Sequence, residues 1–211
     1  VAVRSLAKFT QTEVTPIDSA RLASSGLFRR PLDRRGRMYD LHSNAPCSTE
    51  FAISRFLTPM LAQTGWALFV DCDVVFRGSP LAMPLDDSKA VMVVKHRPLP
   101  AEGTKMDGQA QQAYERKNWS SVIAWNCDHP ANRRLTLQDV NERPGRDLHA
   151  FYWLHDDEIG ELSSEWNWLV NVTPKPGDPK IAHFTNGGPW LPDWRGAPYD
   201  ELWLKESGNG V

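Results

Sequence analysis

Features that define several common protein classes are scarce in this sequence of 211 residues. Only three cysteines occur, Cys47, Cys72 and Cys127, and their spacing suits neither a disulfide framework nor a zinc site. No apolar run approaches the roughly 20 residues that span a bilayer, and the first residues lack the layout of a signal peptide. We therefore expect a protein of a reducing compartment, the cytoplasm, without a transmembrane segment.

The sequence also lacks an excess of positive charge. Lys and Arg number 24 against 26 Asp and Glu, a formal net charge of −2, so no overall basic field attracts nucleic acid. Hydrophobic residues make up 41% and charged residues 24%, which is ordinary for a soluble globular protein. The length suits a single domain that covers residues 1–211.

The most informative stretch runs from Trp66 to Phe76. An apolar run ends in Asp71-Cys72-Asp73 and then resumes, which predicts a strand buried on both faces. Residues two apart on a strand point the same way, so Asp71 and Asp73 should share a side. Mg²⁺ and Mn²⁺ bind carboxylates together with substrate phosphates. The pattern therefore predicts a metal site for a phosphorylated substrate, with a solvated strand end as the alternative.

Other segments predict an alternation of helices and strands around this stretch. Further short strands are expected at residues 90–94, 121–125 and 181–184. A helix over residues 48–63 begins at Ser48 as N-cap, carries Arg55 and is kinked at Pro59. Residues 98–117 lack periodicity and predict a long loop. The alternation favours an α/β fold whose site lies at the carboxyl ends of the strands.

Three further groups are candidates for function, each with a plainer interpretation. Asp156-Asp157-Glu158 could act in catalysis or simply begin a helix. His183 closes a predicted strand before a glycine pair, so it is a candidate third metal ligand or a structural histidine. Residues 29–37 contain five arginines and form either a solvated loop or an anion-contacting one.

The order of these motifs resembles a known family. A helix with Arg55, then Phe69-Val-Asp-Cys-Asp73, then the acidic cluster, then a segment from His183 to Trp190 is similar to nucleotide-sugar glycosyltransferases of the GT-A fold. The resemblance is strongest to glycosyltransferase family 8 and its phage and bacterial relatives. It implies a Rossmann-like α/β/α sandwich with a mainly parallel central sheet.

The resemblance also implies an activity. It is the metal-dependent, retaining transfer of a hexose or pentose from a nucleoside-diphosphate sugar, such as a UDP-sugar, to an acceptor hydroxyl. The implied ligands of Mn²⁺ or Mg²⁺ are Asp71, Asp73 and His183. The implied catalytic residues are Asp156 and Asp157, with Asp157 facing the anomeric carbon. The implied donor-binding residues are Arg55, Asp71, Asp156, Gly187, Gly188 and Trp190.

The sequence departs from the family in its closing motif, which is one residue shorter and lacks a lysine that contacts the diphosphate. Lys105, Lys117 or the backbone amides of Gly187 and Gly188 are the candidate replacements. No strand precedes residues 1–10, and we expect the family's first strand to be absent from this sequence. The acceptor is either a saccharide or a hydroxymethylated base of phage DNA. Two alternatives to this activity are a nucleotidyltransferase and a protein that binds carbohydrate or sugar nucleotide through a degenerate site.

Overall fold

A computed structural model describes residues 1–33, 38–47, 49, 51–97, 116 and 118–208, and the backbone of residues 104–105 and 109–110. The α-helices are α1 (Ala2–Leu6), α2 (Ser19–Ser24), α3 (Thr58–Ala62), α4 (Leu137–Glu142), α5 (Gly145–His149) and α6 (Asp200–Ser207). The strands are β1 (Leu32–Asp33), β2 (Tyr39–Asp40), β3 (Ala45–Pro46), β4 (Trp66–Val70), β5 (Val74–Phe76), β6 (Val91–Val93), β7 (Thr104–Lys105), β8 (Gln109–Ala110), β9 (Val122–Asn126), β10 (Ile159–Glu161), β11 (Trp168–Leu169) and β12 (Ile181–His183). Short 3-10 helices occupy Ser54–Leu57, Pro80–Ala82, Trp119–Ser121, Pro130–Arg134, Asp156–Glu158, Ser164–Asn167 and Pro192–Trp194.

The larger sheet has the strand order β10-β6-β9-β4 and is mixed. Strands β6 and β10 are parallel, whereas β9 runs antiparallel to both β6 and β4. The expectation of a mainly parallel sheet is not confirmed, since two of the three neighbouring pairs are antiparallel, although β4, β6 and β10 all run in the same direction. A parallel strand needs a crossover connection, usually a helix. The segment between β6 and β9 has no helical periodicity, and β9 starts from the edge at which β6 ends.

The smaller sheet has the order β11-β12-β5 and is also mixed. Strand β12 is parallel to β11 and antiparallel to β5. Two short antiparallel groups complete the described pairings: β1, β2 and β3 form one, and β7 pairs with β8 in the other.

The two larger sheets share an apolar cluster, which sets the order of layers. Val74 and Phe76 of β5 pack into the same cluster as Met92 of β6. Val75, which points to the other face of β5, packs with Trp203 of α6 instead. The opposite face of the larger sheet packs on segments that include Phe56 and Leu148. The predicted α/β/α layering is thus modified, because a second sheet covers one face of the first.

Strand β4 confirms the predicted strand but not its full burial. Its five residues are all half-buried, although alternate side chains such as Leu68 and Phe69 pack into different clusters. Because β4 is the outermost strand in the order of this sheet, its side chains keep some exposure.

The helix predicted over residues 48–63 is much shorter than expected. The chain forms a 3-10 helix at Ser54–Leu57 and continues as α3, while the predicted cap Ser48 lies outside the described residues. Pro59 does not kink the helix, because it occupies the first turn of α3, where its missing N–H costs no hydrogen bond. Most of the predicted loop at 98–117 also lies outside the described residues. Among the helices of the described residues, none has the length and apolar character of a membrane span.

Candidate metal centre and active site

Asp71, Asp73 and His183 converge at one edge of the two sheets. Asp71 follows β4, and Asp73 precedes β5, so the three-residue segment between the strands carries both carboxylates. His183 ends β12 directly opposite Val74 of β5, and the amide of Phe184 donates to the carbonyl of Asp73 at 2.9 Å. One ligand atom from each of the three residues lies within 4.8 Å of the others. The predicted metal-ligand set is therefore brought together.

The donor set suits a divalent cation. His183 Nε2 lies 3.2 Å from Asp73 Oδ1 and 4.0 Å from Asp71 Oδ2. The two aspartates are half-buried, whereas His183 is only 1% exposed. Two carboxylates and one imidazole, facing one another at a partly covered sheet edge, fit Mn²⁺ or Mg²⁺ with room for ligands from a substrate.

Arg55 fixes the carboxylate of Asp71. Its Nη2 lies 2.9 Å from Asp71 Oδ1, and its Nη1 donates to Asp71 Oδ2 at 3.2 Å. The guanidinium also donates to the carbonyls of Ser120 at 2.7 Å and Ala52 at 3.0 Å, and it lies over the ring of Phe69. Arg55 is only 8% exposed. Its position between backbone carbonyls and Asp71 makes it a positioning group for a candidate metal ligand.

A chain of hydrogen bonds behind His183 fixes its ring. Asn167 is fully buried, and its Nδ2 donates to Ser121 Oγ at 2.9 Å, while Ser121 Oγ donates to the Asn118 carbonyl at 2.8 Å. The amide oxygen of Asn167 is thereby turned toward His183 Nδ1, 3.1 Å away. This hydrogen bond favours the imidazole tautomer with its proton on Nδ1, in which Nε2 is the nitrogen available to ligate a cation.

Opposing effects act on the pKa of Asp71. Burial raises the pKa of Asp71, and the neighbouring Asp73 adds to this, although Arg55 and His183 act to lower it. A carboxylate in such a place is costly as an isolated charge, and a bound cation removes that cost.

The segment from His183 to Trp190 contains Gly187 and Gly188, and these two glycines contribute to local turns and packing. The amide of Gly187 donates to the Phe184 carbonyl at 2.9 Å, so it is committed to a turn. A Cβ on Gly188 would come within 2.1 Å of the Trp190 ring, which stacks near Trp203 with ring centroids 4.5 Å apart. Trp190 is 37% exposed and therefore keeps one part available to solvent.

The acidic cluster does not join the metal ligands. The carbonyl of Glu158 accepts from the amide of Ala90, and that of Asp157 accepts from Lys89 Nζ, both at the edge where β6 begins. Asp71 lies at the edge where β4 ends, about 13 Å away along the strands at 3.3 Å per residue. The Asp156 side chain is 90% exposed and pairs with Arg116. Only the acids at positions 71 and 73 face His183 within the described residues.

Two features of the site were not anticipated from the sequence. Nothing in the sequence marked Asn167 as functional, and only the fold places it behind His183. In the arginine-rich stretch, Arg30 is buried and donates to Asp40 Oδ2 and to the Val140 carbonyl, so it holds the structure together. Residues 34–37 and Lys117 lie outside the described residues.

The fold is that of known glycosyltransferases, of the GT-A-like kind. The chain superposes on an active-site mutant of LgtC with a TM-score of 0.58 and 17% identity, covering 98% of this chain and 89% of that one. LgtC in complex with donor and acceptor sugar analogs gives a TM-score of 0.52 and 14% identity, and the match covers 92% of this chain and 74% of that one. GlyE of Streptococcus pneumoniae TIGR4 gives a TM-score of 0.56 and 12% identity. That match covers 98% of this chain but only 55% of GlyE. Membership of glycosyltransferase family 8 stays a prediction.

A curated relative shows to which family the chain belongs. It is 43% identical over 203 residues to Protein CDI of Arabidopsis thaliana, a match that covers 92% of this chain and 74% of that protein. The chain belongs to the family of Protein CDI. No protein-family model matches the chain.

Proposed function

We propose that this protein is a metal-dependent glycosyltransferase that takes a sugar from a nucleoside-diphosphate donor, such as a UDP-sugar. The observation that carries the proposal is the convergence of Asp71, Asp73 and His183 within 4.8 Å in a glycosyltransferase fold. Paired carboxylates with a buried histidine serve no evident packing role at a sheet edge, since burying their charges without a cation costs free energy.

The three ligands would hold Mn²⁺ or Mg²⁺. A divalent cation of this kind neutralises the charge that develops on a leaving diphosphate. Arg55 keeps the carboxylate of Asp71 turned toward the site, and Asn167 keeps the Nε2 of His183 turned the same way. Both positioning residues are buried, so the ligands need little reorganisation when the donor arrives.

Asp156 and Asp157 are left out of the proposed catalytic group, because the Asp156 carboxylate pairs with Arg116 and the backbone carbonyl of Asp157 accepts from Lys89 Nζ at the edge where β6 begins. A retaining outcome therefore has no assigned carboxylate beside the metal ligands. Trp190, with its partly exposed ring, is a candidate surface for the donor or the acceptor. Gly188 is buried against that ring and supports it.

For the acceptor we propose a hydroxyl group of a saccharide. The structure of LgtC contains donor and acceptor sugar analogs, and this chain shares its fold. A DNA base has less support, since Arg30 of the arginine-rich stretch is buried in an ion pair and the net charge is −2.

A donor screen tests the proposal. The purified chain with Mn²⁺ is incubated with a panel of nucleotide sugars, and the released nucleoside diphosphate is measured. We expect release from one donor, its loss with EDTA, and its loss in Asp73→Asn. Asp178→Asn, an exposed carboxylate paired with Lys180 beyond the other end of β12, is the matched control. Pyrophosphate as product would indicate a nucleotidyltransferase, and binding without turnover would indicate a binding protein.

A further inference from the structure

His96 is a buried histidine near the metal ligands whose Nε2 has no hydrogen-bond partner. The residue is 7% exposed, and its Nε2 is among the buried polar atoms of the described residues for which no partner is found. Leaving such an atom unsatisfied is costly in a folded protein, so each case calls for an explanation. A structural role does not supply one here.

The topology places His96 at the same edge as Asp71. Strands β4 and β6 both pair with β9 from opposite sides, with Val70 opposite Val122 and Val93 opposite Ile123. Asp71 follows the first of these strands, and His96 follows the second. Two inter-strand spacings of about 4.8 Å separate their ends, so the gap between them is about 10 Å.

Contacts of its backbone hold His96 at this edge. Its amide donates to the Val94 carbonyl at 2.9 Å, which turns the chain directly after β6. Its carbonyl accepts from the Trp119 indole at 2.9 Å, and Trp119 begins the 3-10 helix that leads into β9. His96 also lies near enough to His183 for the two rings to interact electrostatically. The backbone of His96 is therefore held at the edge that carries the proposed metal ligands, by the same strands that position them.

We propose that His96 Nε2 makes a hydrogen bond to a hydroxyl group of the donor sugar. The inference rests on the proposed function, since it assigns a sugar subsite beside the proposed metal. A neutral imidazole can donate to or accept from a hydroxyl group, whereas it offers no charge to a phosphate. A donor whose diphosphate is bound by the proposed metal ligands carries hydroxyl groups on both its ribose and its sugar, and the comparison of UDP with UDP-sugar below distinguishes the two.

The test compares two substitutions at this position. His96→Leu removes both nitrogen atoms, whereas His96→Gln returns an amide nitrogen near the place of Nε2. Binding of UDP and of UDP-glucose and UDP-galactose is measured by calorimetry with Mn²⁺ present. His155→Leu is the matched control, because His155 is exposed and lies beside Glu158 at the opposite edge of the sheet.

We expect His96→Leu to bind the UDP-sugar about 10-fold more weakly, since that is the usual scale for one hydrogen bond. UDP and Mn²⁺ should bind as in the wild type, and His96→Gln should recover part of the affinity. The melting temperature of His96→Leu should equal or exceed that of the wild type, because an unsatisfied buried group has been removed. A purely structural histidine would give a lower melting temperature instead.

Different failures can be told apart. If the wild type binds UDP-sugar and His96→Leu binds it equally well, the inference about His96 is wrong while the proposed function stands. Equal weakening of UDP and UDP-sugar would also overturn it, since the contact would then lie on the nucleotide. If the wild type binds neither UDP nor any UDP-sugar, the proposed function fails, and the sugar subsite fails with it.

Discussion

Arg55 holds both carboxylate oxygens of Asp71, with its Nη2 2.9 Å from Oδ1 and its Nη1 3.2 Å from Oδ2. The same guanidinium is anchored on the carbonyls of Ala52 and Ser120, so its own position is fixed by the backbone. The arginine that the family resemblance assigned to the donor therefore contacts a proposed metal ligand in this structure. Its influence on catalysis would pass through the geometry of Asp71.

Replacing Arg55 by Met should weaken Mn²⁺ binding by about 10- to 100-fold, the usual effect of losing a group that orients a metal ligand. Manganese titration followed by electron paramagnetic resonance measures this directly. Arg134→Met is the matched control, because Arg134 pairs with Glu158 at the opposite edge of the sheet. Unchanged manganese affinity in Arg55→Met would show that Asp71 does not depend on this contact.

Asn167 offers a test of the proposed orientation of His183. Asn167→Leu removes the acceptor for Nδ1, so the ring can rotate or adopt the other tautomer, and we expect about 10- to 100-fold weaker manganese binding. Asn167→Asp keeps an acceptor oxygen and should bind manganese more tightly than the leucine variant does. Melting temperatures of both variants establish that each is folded. Equal manganese affinity in the leucine and aspartate variants would contradict the role of the hydrogen bond.

Asp157→Asn tests whether Asp157 is catalytic, as the family resemblance implies, or lies outside the active site, as the observed geometry indicates. The resemblance places Asp157 at the anomeric carbon, where loss of its charge would abolish turnover. The backbone carbonyl of Asp157 accepts from Lys89 Nζ on the edge where β6 begins, and the residue is exposed. We therefore expect more than about half of the activity to remain, as is usual for an exposed residue outside a site. The measurement is the rate of nucleoside diphosphate release at saturating donor. Turnover lost in Asp157→Asn, with manganese binding intact, would restore the catalytic assignment.

The unfolding free energy of the protein should depend on pH through the titration of His96. Burial, with a contribution from His183, lowers the pKa of His96 to about 4, whereas an unfolded histidine titrates near 6.5. Between these values the unfolded chain binds more protons, so stability present above pH 6.5 is lost as the pH falls toward 4. The raised pKa of Asp71 acts in the opposite direction as the pH falls.

The contribution of His96 is isolated by comparing the wild type with His96→Leu. Denaturant unfolding in EDTA at pH 7.5, 6 and 4.5 should show that the stability difference shifts in favour of the variant as the pH falls. The upper limit of this shift is about 3 kcal/mol, because 2.5 pKa units correspond to that free energy. A difference that does not change with pH would mean that His96 is not buried in its neutral form.

Gly188→Ala tests the packing of the closing segment. A Cβ there would approach the Trp190 ring to 2.1 Å, so the ring must move, and we expect a loss of about 1 to 3 kcal/mol in unfolding free energy. Gly177→Ala is the control, because nothing lies within 4 Å of its Cβ position. Tryptophan fluorescence should change only in the first variant. Equal stability of the two variants would show that Trp190 adjusts without cost.

The strands and the metal ligands were predictable from the sequence because both depend on local pattern. Strands β4, β6, β9 and β12 lie within a residue or so of the predicted apolar runs. Asp71, Asp73 and His183 stand directly beside such runs, so their positions follow once the strands pair. The direction of β9 was not predictable, since an apolar run is equally compatible with parallel and antiparallel neighbours.

Features that depend on contacts between distant parts of the chain could not be predicted from the sequence. Asn167 reaches His183 only because β11 and β12 are neighbours, which no local pattern indicates. The acidic run at Asp156–Glu158 forms a 3-10 turn that leads into β10 parallel to β6, and this places it at the edge away from Asp71. An acidic run of this composition could lie at either edge of the sheet, and the parallel pairing of β10 with β6 determines which edge it occupies.

The segment Asp71-Cys72-Asp73 joins β4 of the larger sheet to β5 of the smaller one and also carries two of the three proposed ligands. Its length is therefore constrained twice, by the span between two sheets and by the spacing of two carboxylates. A single inserted or deleted residue would change both at once. The junction must therefore keep its length if the connection between the sheets and the spacing of the two carboxylates are both to be preserved.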